Sequence, residues 1–183
     1  SQNYATATDS NNTAVGYNAG NQISTGTLNT LVGANTGDAI TTGFDNVAIG
    51  RSALTTEDTG RKNVAIGSSA LEEQNNDVDN FNVAVGFEAG KKVSTGIQNT
   101  LIGGAAGDAL TASDYNVAVG YGALSSETLG ARNVAIGQEA LGSQNSTTAT
   151  TTYNTAVGMQ AGRLISTGKD NTLIGALAGD ALT

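Results

Sequence analysis

The sequence predicts an all-β chain coiled as a parallel solenoid of about ten rungs with a 17-residue period. Three observations carry that reading. A pentad of the form Asn-[Thr/Val]-[Ala/Leu]-[Val/Ile]-Gly occurs ten times, seven of the nine intervals between copies equal the first (Asn12 to Asn29), and the chain of 183 residues holds 25 Gly but no Pro, Trp, Cys or His. Self-similarity this strict decides the architecture before local propensity does, and it replaces one or two compact domains with a stack of similar units. Helix is a poor alternative, because every would-be helical turn meets a Gly or a Thr/Asn cluster.

Each rung is counted from its Asn as position zero: Asn12, Asn29, Asn46, Asn63, Asn82, Asn99, Asn116, Asn133, Asn154 and Asn171. Position one is Thr or Val, position two Ala or Leu, position three Val or Ile, and position four Gly. Such an alternation, closed by Gly, reads as a strand of four or five residues ending in a turn. Like strands stacked at one fixed interval must run parallel, so two short strands and two turns per rung are expected. At a strand spacing of ~4.8 Å, ten rungs form a rod roughly 45–50 Å long. The ten Asn residues then lie one above another, and an amide ladder along the stack is expected of them.

The second half of the rung carries a compensation. Where position eight is Gly (Gly20, Gly37, Gly90, Gly107, Gly162, Gly179), position eleven is aliphatic: Ile23, Ile40, Val93, Leu110, Ile165, Leu182. Where position eight is Leu (Leu54, Leu71, Leu124, Leu141), position eleven is Glu57, Gln74, Glu127 or Gln144. Each rung thus supplies one large apolar side chain for a single slot of near-constant volume. Leu31, Leu101 and Leu173 at position two are each preceded by Thr, and these exchanges define four rung types in fixed order.

The organisation expected over residues 1–183 is one repeat domain: a partial rung 1–11, four-rung cassettes at 12–81 and 82–153, and two rungs at 154–183. The fourth rung type of each cassette has a lengthened loop, 72–81 and 142–153. The opening Ser1, Gln2 and Asn3 match Ser143, Gln144 and Asn145, so the chain is expected to begin inside a fourth-type rung and to stop inside a second-type rung, as a piece of a longer fibre.

Composition narrows the function. A formal charge of −8, or −24 for three chains (3 × −8), excludes a phosphate-backbone partner and an anionic membrane surface, so no nucleic acid is expected. Without His or Cys the common nucleophile–base pairs and soft-metal sites are missing, and no enzyme, cofactor or metal centre is expected. No apolar run approaches the ~20 residues of a membrane-spanning helix, so no membrane insertion is expected of this segment. No signal-peptide pattern opens the chain, and an export signal or anchor is expected outside it.

Asn-Thr-Ala-Val-Gly-x-x-Ala-Gly/Leu, followed by a Thr-Gly turn and the next Asn, resembles two related groups. One is the head repeat of YadA-like trimeric autotransporter adhesins, with its Ser-Val-Ala-Ile-Gly core. The other is the Asn-Thr-Ala-Val-Gly-x-x-Ala-Leu repeat of phage tail-fibre-like proteins. The resemblance covers essentially the whole chain and implies a left-handed parallel β-roll, three chains side by side as a homotrimer, in an extracellular fibre on a bacterial surface, a phage or an injection system. The adhesin heads use a shorter repeat, so the 17-residue period favours the tail-fibre-like group or a surface fibre built from the same unit. A trimer also makes physical sense. About three aliphatic side chains per rung do not offset an ordering cost of ~1–2 kcal/mol per backbone residue unless stacking and lateral faces add burial. The Ala at positions two and seven is read in two ways, as a site of close chain-to-chain approach or as lining of the roll interior.

The remaining features divide between solvated surface and a candidate contact. Residues 86–92, Gly-Phe-Glu-Ala-Gly-Lys-Lys, fail as a phosphate loop: three residues separate the glycines, and no Ser or Thr follows the Lys. Adjacent acids such as Glu57 and Asp58, or Glu72 and Glu73, read as solvated loop surface. Asp38, Asp108 and Asp180 at position nine read as turn caps rather than as a Ca²⁺ ring on a trimer axis. An ice-binding face needs a regular Thr array, and positions twelve and thirteen (Ser24-Thr25, Thr41-Thr42, Asp58-Thr59, Asn75-Asn76) break it. Aromatic rings at rung edges beside Asn/Thr/Asp loops suit a sugar, with a ring face on the pyranose and amides on its hydroxyls. Asn76, Asp77, Phe81, Thr148 and Tyr153 are therefore the candidate contacts to a cell-surface glycan or protein receptor. The function expected is that of a shaft or head segment of a trimeric attachment fibre, with a glycan-binding module acting through loops 72–81 and 142–153 as the alternative.

Overall fold

A computed structural model describes residues 9–182. Residues 1–8 of the partial first rung, and Thr183, lie outside the described residues. The chain is an all-β parallel solenoid of about ten turns with the expected 17-residue period, and no helix occurs among the described residues. Each rung contributes one strand of three residues, at positions one to three. These are β1 (Thr13–Val15), β2 (Thr30–Val32), β3 (Val47–Ile49), β4 (Val64–Ile66), β5 (Val83–Val85), β6 (Thr100–Ile102), β7 (Val117–Val119), β9 (Val134–Ile136), β11 (Thr155–Val157) and β12 (Thr172–Ile174). They form one ten-stranded parallel sheet in which like positions pair across every step, as in Thr13 with Thr30 and Val47 with Val64. Two short segments, β8 (Gly130–Ala131) and β10 (Thr150–Thr151), pair separately beside the second lengthened loop.

The expected second strand of each rung is replaced by turns. Backbone conformation explains the difference: positions six, eight and the residue before each Asn have positive φ, for example Ser52 (57°), Leu54 (53°) and Lys62 (63°) in the third rung. Three left-handed residues per rung turn the chain, and the stretch between position eight and the residue before the next Asn runs as bends, with bridge pairing only at β8, β10 and Arg61 with Asp79 among the described residues. Each such corner costs a non-glycine residue roughly 1–2 kcal/mol, and lateral hydrogen bonds to the neighbouring rung hold it, as Ser52 N to Ala34 O (2.9 Å) and Leu54 N to Ala70 O (3.0 Å) do.

The pentad glycine has two physical causes. Its φ lies between 122° and 144° in all ten rungs, a region that L side chains avoid. In addition, a Cβ on Gly120 would stand 2.6 Å from Gly137 O in the next rung, so the stack itself excludes a side chain.

Position two faces inward: Leu31, Ala48, Ala65, Ala84, Leu101, Ala118, Ala135 and Ala156 are fully buried. Position seven does the same through Ala53, Ala70, Ala89, Ala106, Ala123, Ala140 and Ala161. Of the two readings of these alanines, the geometry selects the roll interior. The slot at positions eight and eleven is equally tight. A Cβ on Gly107 would lie 2.8 Å from both Leu101 Cδ2 and Leu110 Cδ1, so Gly at eight is what an aliphatic residue at eleven requires.

Candidate functional site

The ten pentad asparagines stack along one edge of the sheet. At every step the backbone N–H of one Asn donates to the side-chain Oδ1 of the Asn below, from 2.8 Å (Asn29 to Asn12) to 3.4 Å (Asn82 to Asn63). In regular rungs the side-chain Nδ2 also donates to that Oδ1 and, across its own rung, to the carbonyl at position fourteen. Asn99 does so to Asn82 Oδ1 (3.2 Å) and Ser113 O (2.7 Å). Asn29 through Asn154 in this column are wholly enclosed, so the ladder is an internal seam holding the strand start to the closing turn.

The seam changes where the loops lengthen. In the fourth rung Asn63 Nδ2 has no hydrogen-bond partner. In the rung above, Asn82 Nδ2 donates instead to Gln74 Oε1 (2.7 Å), and Asn154 Nδ2 likewise donates to Gln144 Oε1 (2.8 Å). The position-eleven glutamine of each fourth-type rung takes over the missing link.

The two glutamates at position eleven organise the loops themselves. Glu57 is fully buried, contrary to the expectation that it belongs to a solvated acidic pair. Its Oε1 accepts from Gly60 N (2.7 Å) and Asp58 N (3.1 Å), and its Oε2 from Asn80 Nδ2 (3.1 Å) and Asn76 N (3.4 Å). Glu127 is equally enclosed and accepts from the N–H groups of Thr128, Leu129, Gly130 and Ser146 at 2.7–3.1 Å. It also takes Gln144 Nε2 (2.8 Å) and Ser146 Oγ (3.2 Å). Each lengthened loop is thus tied by backbone and side-chain donors to a carboxyl in the rung below. Burial pushes the Glu57 carboxyl up to about 7, against the lowering effect of the Gly60 and Asn76 amides, and the Asp58 charge adds to the rise. Sequence reasoning saw the polar residue at position eleven only as a vacated slot; its signal was adjacency to the two lengthened loops.

The five candidate receptor residues occupy separate places. Asn76 and Asp77 sit at the outer end of the first loop and line, with Asp58 and Asn75, a polar depression of about 350 Å³. Asp77 Oδ1 accepts from Thr59 Oγ1 (2.6 Å), and Asn76 Nδ2 donates to Thr95 O (2.8 Å). Phe81 is 48 % exposed in the column preceding the asparagines, where Lys62 Nζ lies 5.1 Å from its ring centre. Thr148 and Tyr153 are exposed on the second loop. The two loops belong to rungs four steps apart, ~19 Å along the stack, so they do not join into one pocket.

The same column carries further ring–cation pairs: Arg132 over Tyr115 at 4.5 Å and, one position earlier in the rung, Arg61 over Phe44 at 5.1 Å. Arg61 and Lys62 both pair with Asp79, whose carboxyl is held below its ordinary range, chiefly by the Lys62 hydrogen bond. Glu72 of the other acidic pair lies 3.9 Å from Lys91. The carboxyls of Asp38 and Asp108 are both raised by burial. Among the described residues no group of three or more acidic, His or Cys side chains is placed to hold a metal ion, and no helix is long and apolar enough to cross a membrane.

Compared with family models, curated proteins and solved structures, the chain gives no match.

Proposed function

We propose that the chain is a non-enzymatic shaft or head segment of an extracellular homotrimeric fibre, a left-handed β-roll that contributes to host-cell attachment. One observation carries this reading: the outward face of the sheet. Positions one and three of all ten rungs point away from the core, and these twenty residues are Val, Ile or Thr without exception. In a chain that is 13 % charged, twenty surface positions of average composition would hold two or three charges. Ile49, Ile102 and Ile136 stand 37–39 % exposed on this face in a single chain. Parallel sheets are ordinarily covered on both faces, and an uncharged β-branched strip ~45 Å long suits packing against further copies of itself. Stiffness follows from one constant register along the sheet, and a stiff rod is what an attachment fibre needs.

The mass in solution tests it. Sedimentation equilibrium should give three times the chain mass of 18.2 kDa, and Ile102→Glu together with Val119→Glu should dissociate the assembly. A wild-type chain that sediments as a monomer at micromolar concentration overturns the trimer.

A second reading keeps the lengthened loops as the contact to a glycan. It is favoured by the exposure of Phe81 (48 %) and Tyr153 (54 %) on loops that buried glutamates hold still. Phe81→Ala and Tyr153→Ala should then abolish glycan capture without altering mass.

A further inference from the structure

An open groove of about 470 Å³ runs across rungs six to nine, among the residues that follow the pentad glycine. Asp108, Tyr121, Gly122, Glu139, Gly142 and Arg163 line it. None of these is among the five receptor contacts expected from the sequence, although Gly142 begins the second lengthened loop, and the groove shares no residue with the outward strand positions.

What opens the groove is the loss of side chains that the fold would accept. Gly122 has φ 63°, but the same corner of other rungs holds Asn18, Ser52, Glu88 and Gln160 at 55–57°. A Cβ on Gly122 would meet nothing closer than Glu139 Cγ at 3.6 Å. Neither backbone nor packing therefore demands glycine there. Gly142 has no left-handed φ, and the equivalent position elsewhere carries Thr55, Lys91 or Arg163. At the same places in the first cassette stand Asn35, Ser52 and Glu72, where the second cassette has Ala105, Gly122 and Gly142. The same solenoid thus presents filled surface in one cassette and a groove in the next.

The groove has the parts of a sugar site. Tyr121 is 65 % exposed and leans along the stack over Gly104, where an added Cβ would stand 3.4 Å from its Cδ2. The corresponding residue of the first cassette is Arg51, and the rings at the same rung position elsewhere, Tyr17 and Phe87, do not line the groove. Glu139 and Arg163, 3.6 Å apart with side chains 35 % and 45 % exposed, offer an acceptor and a donor beside it, and Glu139 Oε2 is oriented by Gln160 Nε2 (2.8 Å). An apolar ring face bordered by fixed polar groups matches a pyranose, which has a C–H face and a fringe of hydroxyls. Two carboxylates, Asp108 and Glu139, against one guanidinium, in a chain of charge −8, disfavour an acidic sugar.

We propose that this groove binds a neutral or N-acetylated hexopyranose of a surface glycan, with Tyr121 as the stacking platform and Glu139 and Arg163 as hydroxyl partners. The groove is complete within one chain, so it stands or falls separately from the trimer.

The test is a printed array of neutral, N-acetylated and sialylated oligosaccharides probed with the labelled chain. Binding confined to neutral or N-acetylated glycans is expected. Tyr121→Ala should lower it at least tenfold, and so should Gly122→Gln, which refills the groove with the residue the fold already uses at Gln160. Sedimented mass should stay as in the wild type for both variants, and so should the urea midpoint for Tyr121→Ala. Gly122→Gln should lower the midpoint modestly, because Gly122 has φ 63°. Tyr17→Ala, at the matching position of the first rung, should bind normally. The proposal is overturned if no glycan binds, if binding is restricted to sialylated glycans, or if it survives both groove variants. Loss of binding in Phe81→Ala or Tyr153→Ala alone would overturn it too, in favour of the loops.

Discussion

Gln144 Nε2 donates to Glu127 Oε2 across 2.8 Å with both side chains fully enclosed in the roll, and Gln144 Oε1 accepts from Asn154 Nδ2 at 2.8 Å. The pair joins the lengthened loop, the rung below it and the asparagine seam above it. Removing the carboxyl leaves the N–H groups of Thr128, Leu129, Gly130 and Ser146 and the Ser146 hydroxyl without this acceptor, while Gln144 Nε2 keeps Thr152 Oγ1 (3.3 Å). A buried donor left without a partner costs ~1–3 kcal/mol, and relaxation recovers part of a cluster, so Glu127→Ala should destabilise by about 3 kcal/mol or more. Faster amide exchange at Gly130 and Ser146 is the local readout. An unchanged urea midpoint would remove Glu127 as the anchor of loop 142–153.

Glu57 makes the corresponding anchor for the first loop responsive to pH. Its carboxyl ordinarily titrates near 4.5 and is pushed up to about 7 here by burial, so the fold favours the neutral acid. The resulting stabilisation is complete below pH 4.5, weakens as pH rises and is lost above about 7. Asn80 Oδ1 is enclosed without a partner while its Nδ2 faces Glu57 Oε2, and rotating that amide offers an acceptor to the proton of the neutral acid. Wild type should therefore lose more urea resistance between pH 5 and pH 8 than Glu57→Gln does. Parallel decline of the two proteins would show that Glu57 does not titrate in this window.

The strand, its parallel register and the asparagine column were legible in the sequence because each rests on residue identity repeated at a fixed interval. The corners were not. Leu54, Leu71, Leu124 and Leu141 hold left-handed φ values of 48–55°, a conformation that leucine does not favour by itself; their full burial holds them in it. Glu57 and Glu127 were unreadable for a related reason, since a glutamate after a leucine looks like surface until the turn is known to point it inward. The groove at Tyr121 is harder still to read, because it is made by missing side chains, and Gly122 resembles any other glycine in a chain with 25 of them.

The pentad glycine supplies a graded test within one chain. Gly120→Ala meets both obstacles, a φ of 133° and a Cβ 2.6 Å from Gly137 O. Gly175 lies in the terminal rung of the 183-residue chain, so in that chain Gly175→Ala meets only the first, at φ 122°, with no atom within 4 Å. A sparsely populated backbone conformation costs of order 1–3 kcal/mol, and Gly120→Ala adds displacement of the next rung. It should lower the urea midpoint clearly more than Gly175→Ala and open a protease site near residue 120. Equal effects would mean that the stack tolerates a side chain there.

Asn116 receives Asn133 N and Nδ2 at its Oδ1 and donates through Nδ2 to Asn99 Oδ1 and Gly130 O. Asn116→Ala deletes these four links and a fifth to Ser113 Oγ (3.2 Å) in a sealed column and should cost about 2–4 kcal/mol. Asn63 gives the comparison: its Nδ2 has no partner, so Asn63→Ala should cost measurably less. Chemical denaturation of the two variants side by side decides whether the seam's strength lies in these side-chain bonds or in the backbone ladder alone.

The slot shared by positions eight and eleven allows one rung type to be converted into another. Gly107→Leu places a side chain against Leu101 and Leu110, where even a Cβ stands at 2.8 Å from each. Overpacking of this kind costs typically ~1–3 kcal/mol. Leu110→Gln alone empties the slot and encloses an amide. In a Leu101→Ala background the two changes together reproduce the arrangement of Leu71 with Gln74, whose rung has Ala65 at position two. Contacting residues couple by ~0.5–3 kcal/mol, and a double-mutant cycle should find the double variant more stable than the sum of the single losses by an amount in that range. Additive losses would mean that the two positions fill separate spaces and that the alternation between rung types has another origin.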